Sequence, residues 1–275
     1  MRIAVTGGSG KLGQHVVRRL RESGHDVVVL DTSGDRGTGW IAVDLTDYGQ
    51  VVDTLAGSEA VVHLANIPAP GLHPPAHTLT TNLAMNANVF LAAVQLQLSR
   101  VVWASSETTL GLPFDVPPRY APVDEDHYPV PTSTYALSKV ASETLAEQIA
   151  GWSGRHFIAL RFSNIFTPED YAILPEAWAE PNRRKWNLWG YIDVRDAAQS
   201  CRLALTAPVT GAVSVVIAAA DTVMPRPSAE LLHEVFPGVE LTREISEFET
   251  LLAIDRARTV LGFEPQHSWR DHLES

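Results

Sequence analysis

MRIAVTGGSGKLG, residues 1–13, is the stretch from which the fold can be read. Residues 2–5 are a short apolar run of strand character, ended by TGG. Lys11–Glu22 follows with Leu12, Val16, Val17 and Leu20 at helical spacing. Within TGGSGKLG (6–13) the glycines fall as Gly8-x-Gly10-x-x-Gly13 and also as Gly7-x-x-Gly10-x-x-Gly13. Glycines allow a tight strand-to-helix turn, and they let backbone N–H groups approach a pyrophosphate at the positive end of the helix. A strand before the glycines and a helix after them is the context that gives such a match meaning. Gly7, Ser9, Gly10, Lys11, Leu12 and Gly13 are therefore expected to bind a dinucleotide cofactor.

Working outward, the alternation continues. Residues 27–30 are a continuous apolar run, which suits a strand buried on both faces of a parallel sheet. Runs at 40–43, 60–64, 101–104 and 156–161 read as further strands, and 48–55, 79–98 and the segment around Tyr135 read as helices. This rhythm predicts an α/β doubly wound parallel sheet of the Rossmann type over residues 1–165, with parts of 190–220 completing it. Beyond Arg161 the pattern loosens. Pro168, Pro175 and Pro181 punctuate a stretch holding Trp178, Trp186 and Trp189, read as loops and short helices around packing tryptophans. A helix at 194–205, a strand at 212–218 and helices at 227–236 and 248–261 follow. Residues 166–275 are expected to form mainly a small substrate-binding lobe. The loop IPAPGLHPPAH (67–77) is Pro-rich, either a lid or a stiff connection.

Composition narrows the function classes. The chain has 275 residues, 45% hydrophobic and 19% charged, as in ordinary globular proteins. A formal net charge of −11 argues against nucleic acid or an anionic membrane surface as partner. No apolar run approaches the roughly 20 residues that span a bilayer, and the strand pattern starts at once. A cytoplasmic location is expected. Cys201 is the single cysteine, which excludes an internal disulfide. His63 lies in a predicted strand, His73 and His77 in the Pro-rich loop, with no acid between them; no metal site is expected.

Two acids follow the glycine turn at telling places. Asp31 ends the second strand, where a carboxylate accepts hydrogen bonds from the adenosine ribose and repels the extra phosphate of NADP. Arg36 nearby could pair with that phosphate; NAD is preferred, NADP the alternative. Asp44, in VDLTD, suits the adenine amino group or a helix N-terminus, with Leu45 beside it. Further along, TSTYALSK (132–139) places Tyr135 and Lys139 one helical turn apart on one face, with Ser133 as the N-cap. Ser105 and Ser106 lie at the C-terminal end of the strand 101–104, where open α/β sheets bind ligands.

TGGSGKLG, VDL, HLA, NLAMNAN, ASSETTLG, YALSK and RFSN occur in the order found in extended short-chain dehydrogenases/reductases. The chain resembles the NAD-dependent epimerase/dehydratase family within them, from residue 1 to about 205, and LGFEP (261–265) resembles the family's ending. The resemblance implies a catalytic trio of Ser106, Tyr135 and Lys139. Hydride transfer at carbon requires proton transfer at the attached oxygen. Tyrosine's ordinary pKa of about 10 is too high for a base near neutrality, and a lysine cation favours the phenolate. Lys139 would also hold the nicotinamide ribose and Ser106 the substrate oxygen. The resemblance further assigns Asn82, expected to open a helix, and Leu64, Ala65 and Phe162 to the cofactor. It assigns Asn164 to the substrate, with Glu107 and Arg184 as additional candidates. Family members commonly dimerise through the helix 79–98 and the helix of Tyr135, where Leu79, Leu83, Val94 and Leu98 would supply an apolar stripe; a homodimer is expected.

Three functions compete. The first is an NAD-dependent oxidoreductase acting on a secondary alcohol or carbonyl of a small, sugar-like substrate. The second is a nucleotide-sugar epimerase or dehydratase that retains its NAD; about 110 residues after the sixth strand is short for gripping a nucleotide diphosphate. The third is a non-catalytic dinucleotide sensor, which would need none of Ser106, Tyr135 and Lys139. The first is preferred. ETTLG replaces the family's frequent A-x-V-Y-G, removing an aromatic often found beside the substrate.

Overall fold

In the computed structural model, which describes residues 1–34 and 39–273, β1 (Arg2–Thr6) and β2 (Asp26–Asp31) pair in parallel, from Arg2 opposite Asp26 to Thr6 opposite Leu30. Parallel neighbours need a crossover, and α1 (Lys11–Glu22) supplies it. β3 (Trp40–Ala42) pairs in parallel with β2, β4 (Ala60–His63) with β1, and β5 (Arg100–Ser106) with β4. With β6 (His156–Phe162) and β9 (Ala212–Ile217) the sheet has seven strands in the order β3-β2-β1-β4-β5-β6-β9. The chain therefore winds outward in both directions from β1, as in the doubly wound fold, and the order reverses between β1 and β4. All four residues of β4 are buried, the reason its sequence AVVH is continuous rather than alternating. The crossovers are α2 (Tyr48–Leu55), α3 (Pro75–Gln95), α4 (Thr134–Ser153) and α6 (Val194–Thr206). Arg36 lies outside the described residues.

The chain divides into two units. The first comprises Met1–Ser105, Ser133–Leu160 and Ala198–Ser214. Its core joins Val61, Val89, Phe90, Trp103, Ile149 and Phe157, with Phe90 edge-to-face on Trp103 and Phe157 at 5.3 Å each. Leu98 belongs to this core, 1% exposed and three residues past the end of α3. It is no part of a helical interface stripe. A Pro at the first position of α3 sets the helix start four residues before the expected one, so Asn82 lies two turns inside rather than at the opening.

The second unit comprises Ser106–Thr132, Arg161–Ala197 and Val215–Ser275, so it takes Ser106–Thr132 from within 1–165, while Ala198–Ser214 group with the first unit. β7 (Ile165–Phe166) and β8 (Ile192–Asp193) form a small parallel pair. α5 (Pro175–Trp178), α7 (Ser228–Val235), α8 (Asp255–Leu261) and α9 (Arg270–Leu273) are short. Leu110, Phe114, Trp189, Tyr191, Leu232, Leu252 and Trp269 share the core. Trp189 is fully buried and donates its indole N–H to the Pro181 carbonyl at 2.8 Å. The helix expected at 248–261 begins only at Asp255. Residues ahead of it are extended: Val123 N–H bonds the Leu251 carbonyl and Ala253 N–H the Val123 carbonyl, both at 2.8 Å. Leu251, Leu252 and Ile254 are all buried there, so adjacent apolar residues serve the core as bridge strand and not as one helical face.

No helix among the described residues is long and apolar enough to cross a membrane. Nor do the described residues gather three or more His, Cys, Asp or Glu side chains as a metal would require. Cys201 is buried, its thiol pushed up to about 12 by desolvation.

Candidate active site

In the first unit, the glycine turn is built by close approach. Gly7 has φ +68°, and a Cβ on it would meet the Ala65 backbone N at 2.7 Å. A Cβ on Gly13 would stand 2.0 Å from the Gly7 carbonyl oxygen and 2.7 Å from Gly8 Cα. Leu64 and Ala65 thus pass directly against the turn. Gly10 caps α1 with no side-chain hydrogen bond, so the first-turn N–H groups receive no side-chain acceptor from their N-cap. Ser9 N–H donates to Asp31 Oδ2 at 2.9 Å and Thr32 N–H to Asp31 Oδ1 at 2.8 Å. Asp31 therefore steadies the turn from the end of β2; Oδ1 also accepts from the Thr32 hydroxyl at 3.5 Å, while Oδ2 keeps a lone pair for a ribose hydroxyl. A turn too crowded for a side chain at Gly7 and Gly13, an N-terminus without a side-chain cap and a carboxylate at the β2 end fit a dinucleotide: Gly7, Ser9, Gly10, Lys11, Leu12 and Gly13 would hold its pyrophosphate and Asp31 its ribose.

Asp44 is exposed and accepts from the Thr46 N–H and hydroxyl at 2.9 and 2.7 Å. It is Asp47 that caps α2, accepting from Gln50 N–H. Leu45 is 4% exposed and sits in the core, leaving only its backbone for a ligand. Asn82, fully buried, clamps the backbone of Ile67: its Oδ1 accepts from the Ile67 N–H at 2.8 Å and its Nδ2 donates to the Ile67 carbonyl at 3.1 Å. That clamp ties the start of the Pro-rich loop to α3.

Ser133 caps α4 as its sequence predicts, its hydroxyl accepting from Ala136 N–H at 3.1 Å. Tyr135 (8% exposed) and Lys139 (2%) lie on the buried face, with Lys139 Nζ 5.5 Å from the Tyr135 ring centre. Lys139 Nζ donates to Asn66 Oδ1 at 2.6 Å and to the Ala104 carbonyl at 2.8 Å. Burial brings this lysine down to about 7, while Glu143 one turn on opposes the fall. Glu143 accepts from the Ser105 hydroxyl at 2.5 Å. Asn66 carries no motif beyond standing after HLA, and sequence reading missed it.

In the second unit, Ser106 ends β5 and caps the 3-10 turn Glu107–Leu110, accepting from Thr108 N–H at 3.2 Å. Its own hydroxyl proton remains available to a substrate oxygen. Glu107 is 3% exposed. Desolvation pushes its carboxyl up to about 7, opposed by Ser163, Asn187, Arg184 and the Asn164 backbone. Asn187 Nδ2 donates to Glu107 Oε1 at 3.3 Å, and Glu107 Oε2 has no hydrogen-bond partner. Arg184 lies over Phe166 and Trp186, 5.2 and 5.6 Å from their ring centres, with Nε and Nη2 unpartnered. Glu107, Asn164 and Arg184, scattered in sequence, are brought together here; Asn187 and Ser163 join them unforeseen. Phe162 is buried at the end of β6.

A doubly wound sheet with a dinucleotide turn after β1 and a tyrosine–lysine pair on the helix after β5 defines an extended short-chain dehydrogenase/reductase. The chain belongs to the NAD dependent epimerase/dehydratase family, which residues 3–218 match. It is similar to the UDP-glucose 4-epimerase of Lacticaseibacillus casei, 29% identical over 60% of this chain and 52% of that one, so the match spans about half of that relative's length. The dTDP-glucose 4,6-dehydratase of Streptomyces niveus is 27% identical over 99% of this chain and 90% of its own. Among solved structures, MoeE5 in complex with UDP-glucuronic acid and NAD is 26% identical with a TM-score of 0.73, covering 100% of this chain and 97% of that one. The UDP-glucose 4-epimerase of Thermotoga maritima, 23% identical with a TM-score of 0.73 over 100% and 96% of the two chains, shares the fold.

Proposed function

We propose that this chain is an NAD-dependent oxidoreductase that moves a hydride between nicotinamide and a secondary alcohol or carbonyl carbon of a small, sugar-type substrate. One observation carries the reading: a fully buried ammonium, pinned by two acceptors, faces the ring of a tyrosine one turn away. Bound NAD supplies the hydride acceptor. Tyr135 Oη takes the hydroxyl proton of the substrate as the hydride leaves, and returns it in the reverse direction. The Lys139 charge favours the phenolate, and its remaining N–H would hold the nicotinamide ribose when NAD is bound. Ser106 donates to the reacting oxygen. Glu107, Asn164 and Arg184 contact the rest of the substrate, with Glu107 able to donate or accept near neutral pH. Asp31 favours NAD over NADP. The protein works as a homodimer through α3 and α4, which expose Leu91, Leu137 and Trp152.

A second reading is supported by the full-length match to a dTDP-glucose dehydratase: the same hydride step with NADH reoxidised in place. A panel of sugars, sugar acids and nucleotide sugars, incubated with NAD and followed by nicotinamide absorbance and product analysis, separates the two. Net NADH release supports the first, and altered sugar without net NADH the second. No turnover of any panel member rejects both.

A further inference from the structure

Lys139 does not hold its position through α4 alone. Asn66 Oδ1 accepts from its ammonium at 2.6 Å, and Asn66 Nδ2 donates to Asn86 Oδ1 at 2.9 Å. Asn86 Oδ1 also faces His63 Nε2 at 2.8 Å, and Asn86 Nδ2 donates to Ser142 Oγ at 2.7 Å. His63 Nδ1 meets the Thr6 hydroxyl at 2.6 Å, and Thr6 is the residue before the glycine turn. The polarity of this chain is forced. An ammonium can only donate, so Asn66 presents oxygen to Lys139 and nitrogen to Asn86; Asn86 must then present oxygen to both Asn66 and His63. His63 Nε2 carries the proton, and the Thr6 hydroxyl donates to Nδ1. Thr6, His63, Asn82, Asn86, Ser138 and Ser142 are all buried.

We infer that Asn66 is a positioning residue: its side-chain carbonyl aims the Lys139 ammonium and sustains its charge, so that one N–H remains directed at the nicotinamide ribose. The inference rests on the cofactor role proposed for Lys139. An ammonium has three donors; Asn66 Oδ1 and the Ala104 carbonyl take two. Without Asn66 Oδ1 the buried cation would keep one protein acceptor, and the uncharged amine would be favoured. The titratable groups facing Lys139 are Tyr135 and Glu143 on its own helix and His63 on β4, the last held neutral by burial. None of them replaces the lost acceptor, because Glu143 is engaged with the Ser105 hydroxyl.

The experiment is calorimetric titration of NAD between pH 6 and 9 into wild type, Asn66→Ala, Asn66→Asp, Lys139→Ala and the Asn66→Ala/Lys139→Ala double variant. Affinity in wild type is expected to fall as pH rises through the lysine's titration. In Asn66→Ala that fall moves to lower pH and NAD binds about tenfold more weakly at neutral pH, the scale of one hydrogen bond to a charged group. In Asn66→Asp, which keeps the side-chain shape and adds a negative charge, the fall moves to higher pH. Shifts of opposite sign are what a merely structural role would not produce. In the Lys139→Ala background Asn66→Ala should have no further effect. If Lys139→Ala itself leaves NAD affinity unchanged, the reading of Lys139 fails. If Lys139→Ala weakens binding but Asn66→Ala costs as much in its presence as in its absence, or both Asn66 variants shift the same way, the positioning role is overturned.

Discussion

Acid should loosen the first unit through His63, and the size of the effect can be worked out. The ring is fully buried between Thr6 and Asn86, and burial brings its pKa from 6.5 down to about 4. The unfolded chain therefore binds a proton at this site between about pH 6.5 and 4 that the folded protein refuses, so stability is fully present above that window and falls as pH falls. With those two values the loss reaches about 2 kcal/mol at pH 5, relative to pH 7.5. Other groups titrate too: Glu107, raised to about 7, contributes in the opposite direction, its stability lost as pH rises from 4.5 through 7. The clean quantity is thus the difference between wild type and His63→Gln, a variant that can still donate to Asn86 Oδ1 but does not titrate. Urea denaturation followed by circular dichroism at pH 7.5 and 5 measures it. Wild type should be the more stable protein at pH 7.5, and its advantage should shrink by about 2 kcal/mol at pH 5. An advantage that stays constant would mean that His63 accepts its proton in place, and the polarity assigned to the Thr6–His63–Asn86 chain would be wrong.

Three further outcomes are expected. Gly13→Ala puts a carbon 2.0 Å from the Gly7 carbonyl oxygen, so the turn must open; NAD binding should be lost in calorimetry and stability reduced by about 1–3 kcal/mol, and retained NAD affinity would refute the turn as its site. Tyr135→Phe removes one hydroxyl and should lower turnover roughly 10²–10⁴-fold with NAD affinity little changed, whereas normal turnover on an accepted substrate would make Tyr135 a packing residue. Light scattering should report a particle near twice 30.0 kDa; a monomer at working concentration would remove α3 and α4 as an interface.

The first turn, the alternation of strand and helix, and the helix of Tyr135 and Lys139 were all legible in the sequence. Each rests on local physics: glycine where backbones meet, a continuous apolar run where a strand is buried on both faces, a period of 3.6 where a helix buries one, and a serine where a helix begins. Local signals failed where distant chain decided the outcome. LLAI (251–254) has the composition of a helix and became a bridge because Val123 offered hydrogen bonds and the second unit's core took three of its four side chains. Asn82 reads as a helix opener by its place in NLAMNAN, but Pro75 starts the helix earlier and Ile67 claims the amide. Asn66 had no signal, since an asparagine after HLA is one polar residue in a loop. Its partner lies 73 residues away, and only the sheet, by setting β4 and β5 side by side beneath α4, brings the carbonyl to the lysine. A buried cation must find acceptors wherever the chain has placed them, and no periodicity within a segment records which distant residue will supply one.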